Sequence, residues 1–141
     1  MTDKDRWSVE QLKELADYCA DNANWNIAIS NPCFEVWLYL HKKANFDASN
    51  ATTCQEFKQE ISTLDYGGYH ALKFIRFIKD AIHNAALLDR NQDYFLPAEK
   101  TTKVYQLANA ILNEVSINDF NTFIETKLPR LIERSNLNKR S

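Results

Sequence analysis

The sequence predicts an α-rich α/β domain, with about six helices covering a small parallel sheet. Most apolar residues recur at helical spacing, and the 141 residues contain only two glycines and three prolines to interrupt them. One segment differs, because residues 25–30 form a short apolar run that ends at Asn31-Pro32. This pattern is typical of a strand that passes through a turn into a helix.

The helices are expected to begin at capping residues or turns. Ser8 precedes the first amphipathic segment, and Asn31 can cap a helix with Pro32 at its first position. The expected helices cover 9–20, 32–43, 54–64, 69–88, from Thr101 or Thr102 to Val115, and from Asn118 or Asp119 with an interruption at Pro129. The wide apolar stripe of 69–88 predicts a central position. Residues 1–134 are expected to form one domain, followed by a disordered basic tail at 135–141.

The predicted strand lacks an obvious partner. A strand needs a neighbour to pair its backbone N–H and C=O groups, and residues 92–96 are only a weak candidate. Three alternatives remain open at this point. An upstream strand has been lost, another chain supplies one, or the segment is an exposed edge.

Charge and cysteine content exclude several classes of protein. A net charge of -2 and a pI near 5.9 exclude broad electrostatic attraction to nucleic acid, but leave room for a local basic groove. The three cysteines lack metal-ligand spacing and favour reduced thiols over zinc or a disulfide framework. No apolar run reaches the length of a membrane span, and no signal peptide is evident. We therefore expect a cytoplasmic protein without a membrane partner.

Three segments carry a resemblance to a known family. Residues 3–7 (Asp-Lys-Asp-Arg-Trp), a helix of matching length and residues 27–41, with their Ser-Asn-Pro-Cys-Phe-Glu string, are similar to the second half of RloB-like proteins. Residues 102–107 resemble that family's Thr-x-Val-Tyr-x-Leu pattern. The likeness covers essentially the whole chain, but its specificity is concentrated in residues 3–7 and 27–41.

The resemblance implies a Toprim-like fold, encoded in bacterial defence clusters beside an ATPase partner of the AAA or ABC type. It also implies metal-dependent cleavage of nucleic acid, with Mg²⁺ held by a Glu at the end of an upstream strand and by an Asp-x-Asp at the end of a later one. Asp3 and Asp5 match the Asp-x-Asp, whereas the Glu has no counterpart. The expectation is therefore a carboxyl-terminal portion that is inactive as it stands.

The acidic pair has two interpretations. Two residues apart on an extended backbone, Asp3 and Asp5 would point the same way and could reach one Mg²⁺ ion. Without the resemblance, such a pair near a chain terminus is usually solvated.

Four further candidates surround the predicted strand end. Glu35 is either an exposed glutamate favoured by the helix dipole or a carboxylate that faces a catalytic cleft. His41 is either a hydrogen-bonded structural histidine or a base. Ser30 and Asn31 are expected to cap the helix and to offer polar groups beside the site.

Lys73 and Arg76 share a polar stripe of the segment 69–88. Such a stripe is usually the solvated face of a helix, but it would offer the best local phosphate contacts if nucleic acid binds. Two functions therefore remain. The first is a magnesium-dependent nuclease of the Toprim type. The second is a non-catalytic helical module that docks to the ATPase partner or to a second copy of the chain.

Overall fold

The computed structural model describes residues 1–135 and has the α-rich α/β fold that the sequence predicts. Helices surround a sheet of three short strands, β1 (Thr2–Asp3), β2 (Ile29–Asn31) and β3 (Thr101–Thr102). The α-helices α1 to α8 span Val9–Ala20, Glu35–Tyr39, Cys54–Leu64, Ala71–Phe74, Ile78–Leu88, Val104–Asn113, Ile117–Thr122 and Leu128–Ser135. Within residues 1–135, no helix combines the length and the hydropathy needed to cross a bilayer.

The central strand β2 has a partner on each side. β1 pairs with it in parallel, with Asp3 opposite Ser30, and β3 pairs antiparallel, with Thr102 opposite Ser30. The sheet is therefore mixed rather than wholly parallel. Both partners are only two residues long, which is too short to produce an alternating pattern in the sequence. The weak candidate at 92–96 forms turns and bends instead.

Helix α1 begins as predicted. The Ser8 hydroxyl accepts a hydrogen bond from the Gln11 N–H at 3.1 Å, and the Gln11 side chain accepts one from the Ser8 N–H at 2.9 Å. This reciprocal capping box satisfies two of the donors that every helix start leaves unpaired. The inward face of the helix buries Leu12 and Cys19.

Two predicted helices are shorter than the sequence suggests. The segment expected at 32–43 is helical only over α2, because Asn31 belongs to β2 and its side-chain amide donates to the Pro97 carbonyl at 3.0 Å. The segment 69–88 is divided into α4, a 3₁₀ turn at Ile75–Phe77, and α5. A wide apolar stripe fits either one central helix or two short ones joined end to end, and periodicity does not distinguish them.

The last predicted helices also differ at their boundaries. Residues Thr101–Thr102 form β3, so α6 begins at Val104, although the Thr102 hydroxyl accepts from the Val104 N–H at 3.1 Å. Ser116, not Asn118 or Asp119, caps α7. Helical structure continues through Pro129, because a π-helical turn at Phe123–Lys127 comes just before it and alters the local hydrogen bonding. The predicted tail, apart from Ser135, lies outside the described residues.

The apolar interior consists of two clusters that meet at α2. The larger cluster includes Trp37, Leu38 and Phe74, and the smaller one includes Val36 and Phe57. Because neighbouring residues of α2 enter different clusters, packing fixes this short helix from both sides.

Candidate functional site: an acidic edge beside β1 and β2

The parallel pairing of β1 and β2 brings their carboxyl ends together, because Asp3 lies opposite Ser30. β1 then enters a 3₁₀ turn at Lys4–Arg6, and β2 leads through residues 32–34 into α2. Asp3, Asp5 and Glu35 lie on these two exits, and we call these three residues the acidic edge. Burial raises the pKa of Asp3, and the negative charges of Glu35 and Asp5 raise it further. The three predicted carboxylates are therefore close enough to interact.

Asp3 is held by the backbone that leads into α2. Its Oδ1 accepts a hydrogen bond from the Phe34 N–H at 2.8 Å, which is one of the donors left unpaired at the start of that helix. Asp3 therefore performs the capping role expected of Asn31, from a distant part of the chain. This hydrogen bond lowers the pKa of Asp3, but the effect of partial burial is larger. Within residues 1–135, the second oxygen, Oδ2, accepts no hydrogen bond.

Asp5 connects the acidic edge to helix α3. Its backbone N–H donates to the Pro32 carbonyl at 3.0 Å, which joins the two strand exits. Its Oδ2 accepts a hydrogen bond from the Cys54 thiol at 3.1 Å, and Cys54 is the first residue of α3. The side chain of Asp5 remains exposed to solvent.

Two thiols lie behind the acidic edge. Burial raises the pKa of the Cys33 thiol, and its hydrogen bonds with Cys54 and Glu35 raise it further. Burial, with the neighbouring Asp5, also raises the pKa of the Cys54 thiol to about 11. Both groups are therefore protonated at neutral pH and act as hydrogen-bond donors rather than as thiolates. Sequence reasoning missed this pair because the two cysteines are far apart along the chain.

His41, predicted as a possible base, is not brought to the acidic edge. It is buried against the larger core cluster, where its Nδ1 donates to the Trp37 carbonyl at 3.0 Å and its ring packs edge-on against Trp37. Burial lowers the pKa of the imidazole. The buried, neutral ring is a hydrogen-bonded structural group, which is the first of the two interpretations that the sequence allows.

Ser30 and Asn31 hold the sheet together rather than capping α2. The Ser30 hydroxyl is fully buried and shares a hydrogen bond of 2.7 Å with the Thr102 hydroxyl on β3. Asn31 reaches the loop before β3 through its bond to Pro97. Ser30 lies opposite Asp3 in the sheet, and Asn31 follows it. The side chains of both residues, however, contact β3 and the loop that precedes it.

The predicted phosphate contacts differ in availability. The Lys73 ammonium lies 3.4 Å from the Asp65 carboxylate and donates to the Tyr66 carbonyl at 2.7 Å. It is therefore engaged within the fold, where it shares the Asp65 carboxylate with Lys42 at 3.7 Å. Arg76 is exposed and makes no ion pair within residues 1–135. Of the two predicted cations, only Arg76 is available to a phosphate group.

A buried polar network was missed by the sequence analysis. The Lys103 ammonium donates to both oxygens of Asp89, at 2.9 and 2.7 Å, and to the Asn91 carbonyl at 2.6 Å. The Tyr105 hydroxyl donates to Asp89 at 2.7 Å, and burial raises its pKa to about 12. All these groups are satisfied, so the network anchors the chain around β3. A lysine between β-branched residues at 101–104 was the available signal.

The acidic edge fits magnesium in donor chemistry but not as a complete cage. Within residues 1–135, no group of three or more His, Cys, Asp or Glu side chains is arranged to hold a metal ion. However, proteins commonly bind Mg²⁺ through one or two carboxylates, with water and substrate phosphates as the remaining ligands. Asp3 and Asp5 each have an oxygen that is not engaged in the hydrogen bonds described above. The two carboxylates therefore offer the oxygen donors that Mg²⁺ prefers, without a preformed cage in the part of the chain that the structure describes.

Comparison with known proteins identifies a protein family. The family model described as RloB-like protein matches residues 1–111, which include the acidic edge and the Lys103 network. Neither the curated proteins nor the solved structures contain a match to this chain.

Proposed function

Because the chain belongs to the RloB-like protein family, we propose that its acidic edge binds Mg²⁺ for metal-dependent cleavage of phosphodiester bonds in nucleic acid. The observation that carries this proposal is the convergence of Asp3, Asp5 and Glu35 at the carboxyl ends of two parallel strands. Ligands of α/β proteins commonly bind at such strand ends. The Toprim-like character and the role in bacterial defence belong to the same proposal.

Each carboxylate has a separate part in the proposed site. Asp3 is oriented by the Phe34 N–H, and its Oδ2 would contact the ion. Asp5 would provide the second ligand, while the Cys54 thiol fixes its other oxygen. Glu35 keeps the potential at this edge negative, which attracts a cation. When bound, Mg²⁺ supplies Lewis-acid polarisation of a phosphoryl oxygen and lowers the pKa of a water molecule.

The proposed site is sparse for an enzyme. The resemblance implies a further Glu for which this sequence has no counterpart, and the acidic edge forms no three-ligand group within residues 1–135. We therefore propose that the chain by itself binds the ion weakly and cleaves nucleic acid little or not at all. Full activity would need an additional carboxylate at this edge.

Manganese binding tests the acidic edge directly. Mn²⁺ can be followed by the relaxation of water protons or by electron paramagnetic resonance, and it accepts the same oxygen ligands as Mg²⁺. We expect saturable binding to the full chain, and binding at least about tenfold weaker in Asp5→Asn, because one of two charged ligands is lost. Asp5 is preferred to Asp3 because Asp3 also caps α2.

The matched control is Asp47→Asn, which removes the same charge from an exposed position in a loop. It should leave Mn²⁺ affinity unchanged. Equal loss in both variants would indicate only a general effect of net charge, and unchanged affinity in Asp5→Asn would contradict the proposed site.

A second candidate function rests on an apolar groove between α5, α6 and α7. Its cavity volume is about 410 Å³, and its lining includes Ile78, Leu107, Ile111 and Phe120. Ile111 is 57% exposed, which is unusual for a large aliphatic side chain within a continuous apolar surface. We propose, as this alternative, that the chain is a non-catalytic interaction module and that the groove is covered by a second copy or by the ATPase partner.

The second-copy version predicts association in solution. Light scattering over a range of protein concentrations should reveal a dimer, and Ile111→Glu should weaken its association at least about tenfold because a charge would be buried in the contact. Leu87→Glu is the control, since Leu87 is exposed on α5 but does not line the groove. A monomer at every concentration would rule out this version and leave the ATPase partner as the remaining occupant.

A further inference from the structure

A small pocket with an aromatic rim lies at the other end of β2 from the acidic edge. It is formed by the end of α1, residues 25–27 and the turns at 92–95, and its volume is about 200 Å³. The residues that matter for its chemistry are Trp25, Gln92, Asp93, Tyr94, Phe95 and Gln106. Neither the proposed metal site nor the apolar groove uses these residues.

Large aromatic rings are exposed around this pocket. Trp25 is 65% exposed and Tyr94 is 47% exposed. Each ring is held by a neighbour, because Tyr18 packs edge-on to Trp25 at 6.4 Å and Phe95 packs against Tyr94 at 4.9 Å. Supported aromatic rings that remain open to solvent offer electron-rich faces to a cation.

The charge of the lining is negative. Asp93 is exposed and makes no ion pair within residues 1–135. The positive group in the lining is Lys103, whose charge is cancelled by Asp89 at 2.7 Å. Lys13 lies close enough to Tyr94 to interact with it, but it is paired with Asp17 at 2.9 Å. The pocket therefore favours a cation and disfavours a phosphate.

The polar atoms of the rim add hydrogen-bond acceptors. Gln106 donates through Nε2 to the Gln92 carbonyl at 2.9 Å, so the orientation of its amide is fixed and Oε1 remains as an acceptor. The Asp93 carboxylate and the Gln92 side-chain oxygen are further acceptors. Aromatic faces combined with several acceptors match a guanidinium group, which is planar and carries five N–H donors.

We propose that this pocket binds the guanidinium of an arginine side chain presented by a protein partner. A volume of about 200 Å³ suits the head of one side chain and is below the usual range for whole small-molecule ligands. The negatively charged lining would repel the α-carboxylate of free arginine, and among the described lining residues the positive group, Lys103, is already paired with Asp89. An arginine within a polypeptide has no such requirement.

Short capped peptides test the proposal on the full chain. The peptides to be titrated into the protein are Gly-Arg-Gly, Gly-Lys-Gly and Gly-Gln-Gly, each acetylated and amidated. Binding is to be followed by the shift of the Trp25 indole N–H resonance in NMR spectra. The arginine peptide should bind with a dissociation constant on the order of 1 mM, the lysine peptide several-fold more weakly, and the glutamine peptide undetectably.

Two variants and a control locate the site. Trp25→Ala and Asp93→Asn should each weaken binding of the arginine peptide at least about fivefold, with resonances of Phe95 and Gln106 as the readout in Trp25→Ala. Trp7→Ala removes an exposed tryptophan that does not line the pocket and should have no effect. Asp93→Asn keeps the test valid if Trp25→Ala fails to fold.

The contrary outcomes are distinct. If the glutamine peptide binds as tightly as the arginine peptide, the surface is nonspecific. Thymidine, titrated in the same way, should not bind, and equal binding would indicate a base-stacking surface. If no peptide shifts the resonances, the site is excluded. Free arginine binding as tightly as the capped peptide would overturn the assignment to a polypeptide. Asp5 does not line this pocket, so peptide binding and metal binding are independent, and failure of the proposed metal site would leave the peptide result unchanged.

Discussion

Replacement of Lys103 by Met should lower the free energy of unfolding by about 3–5 kcal/mol. The Lys103 side chain is 2% exposed, and its ammonium donates three hydrogen bonds, two of them to Asp89. Methionine preserves much of the side-chain length but leaves the Asp89 carboxylate buried without its counter-charge. The Tyr105 hydroxyl would remain as a donor to Asp89. Urea denaturation followed by circular dichroism measures the loss, which is large against the usual stability of a single domain.

An exposed ion pair of similar length provides the control. Lys13 and Asp17 are 2.9 Å apart, but both side chains are more than 60% exposed, so Lys13→Met should change stability little. Adding Asp89→Leu to Lys103→Met should restore part of the loss, because the lone buried charge is removed. If Lys103→Met unfolds at the same urea concentration as the original chain, the network does not anchor the region around β3.

Local signals in the sequence were sufficient for some elements and not for others. The start of α1 was predictable because Ser8 and Gln11 satisfy each other within one turn. The start of α2 was not, because its N–H group is capped by Asp3, which precedes it by a whole helix and a strand. A residue that acts across such a distance leaves no periodic pattern in the segment that it stabilises.

The residues of the candidate site were also predictable only in part from the sequence. The resemblance indicated Asp3 and Asp5, and the residues around the strand end indicated Glu35; the structure brings the three together. His41 lies only six residues after Glu35, but α2 ends at Tyr39, and in the turn that follows the imidazole packs against Trp37 and Phe74 in the core. Cys54 could not be found from spacing, since its contact with Asp5 depends on how α3 packs against α2.

The packing of α3 against α2 therefore controls part of the acidic edge. Phe57 is fully buried in the smaller core cluster, where it packs with Val36 of α2 and edge-on against Phe46 at 5.8 Å. It lies one turn after Cys54, on the helix whose first residue donates to Asp5. Loss of this ring should both destabilise the domain and release α3 from the acidic edge.

Phe57→Ala should lower the free energy of unfolding by about 3–5 kcal/mol, because it removes a buried ring and leaves a cavity. Phe57→Leu should cost clearly less, since much of the volume is retained. Leu87→Ala, at a position that is 69% exposed, is the control and should be nearly neutral. Urea denaturation gives all three values, and the rate of Cys54 alkylation in native buffer reports the freedom of α3. A loss below about 1 kcal/mol for Phe57→Ala, with unchanged alkylation, would mean that the smaller cluster does not hold α3 in place.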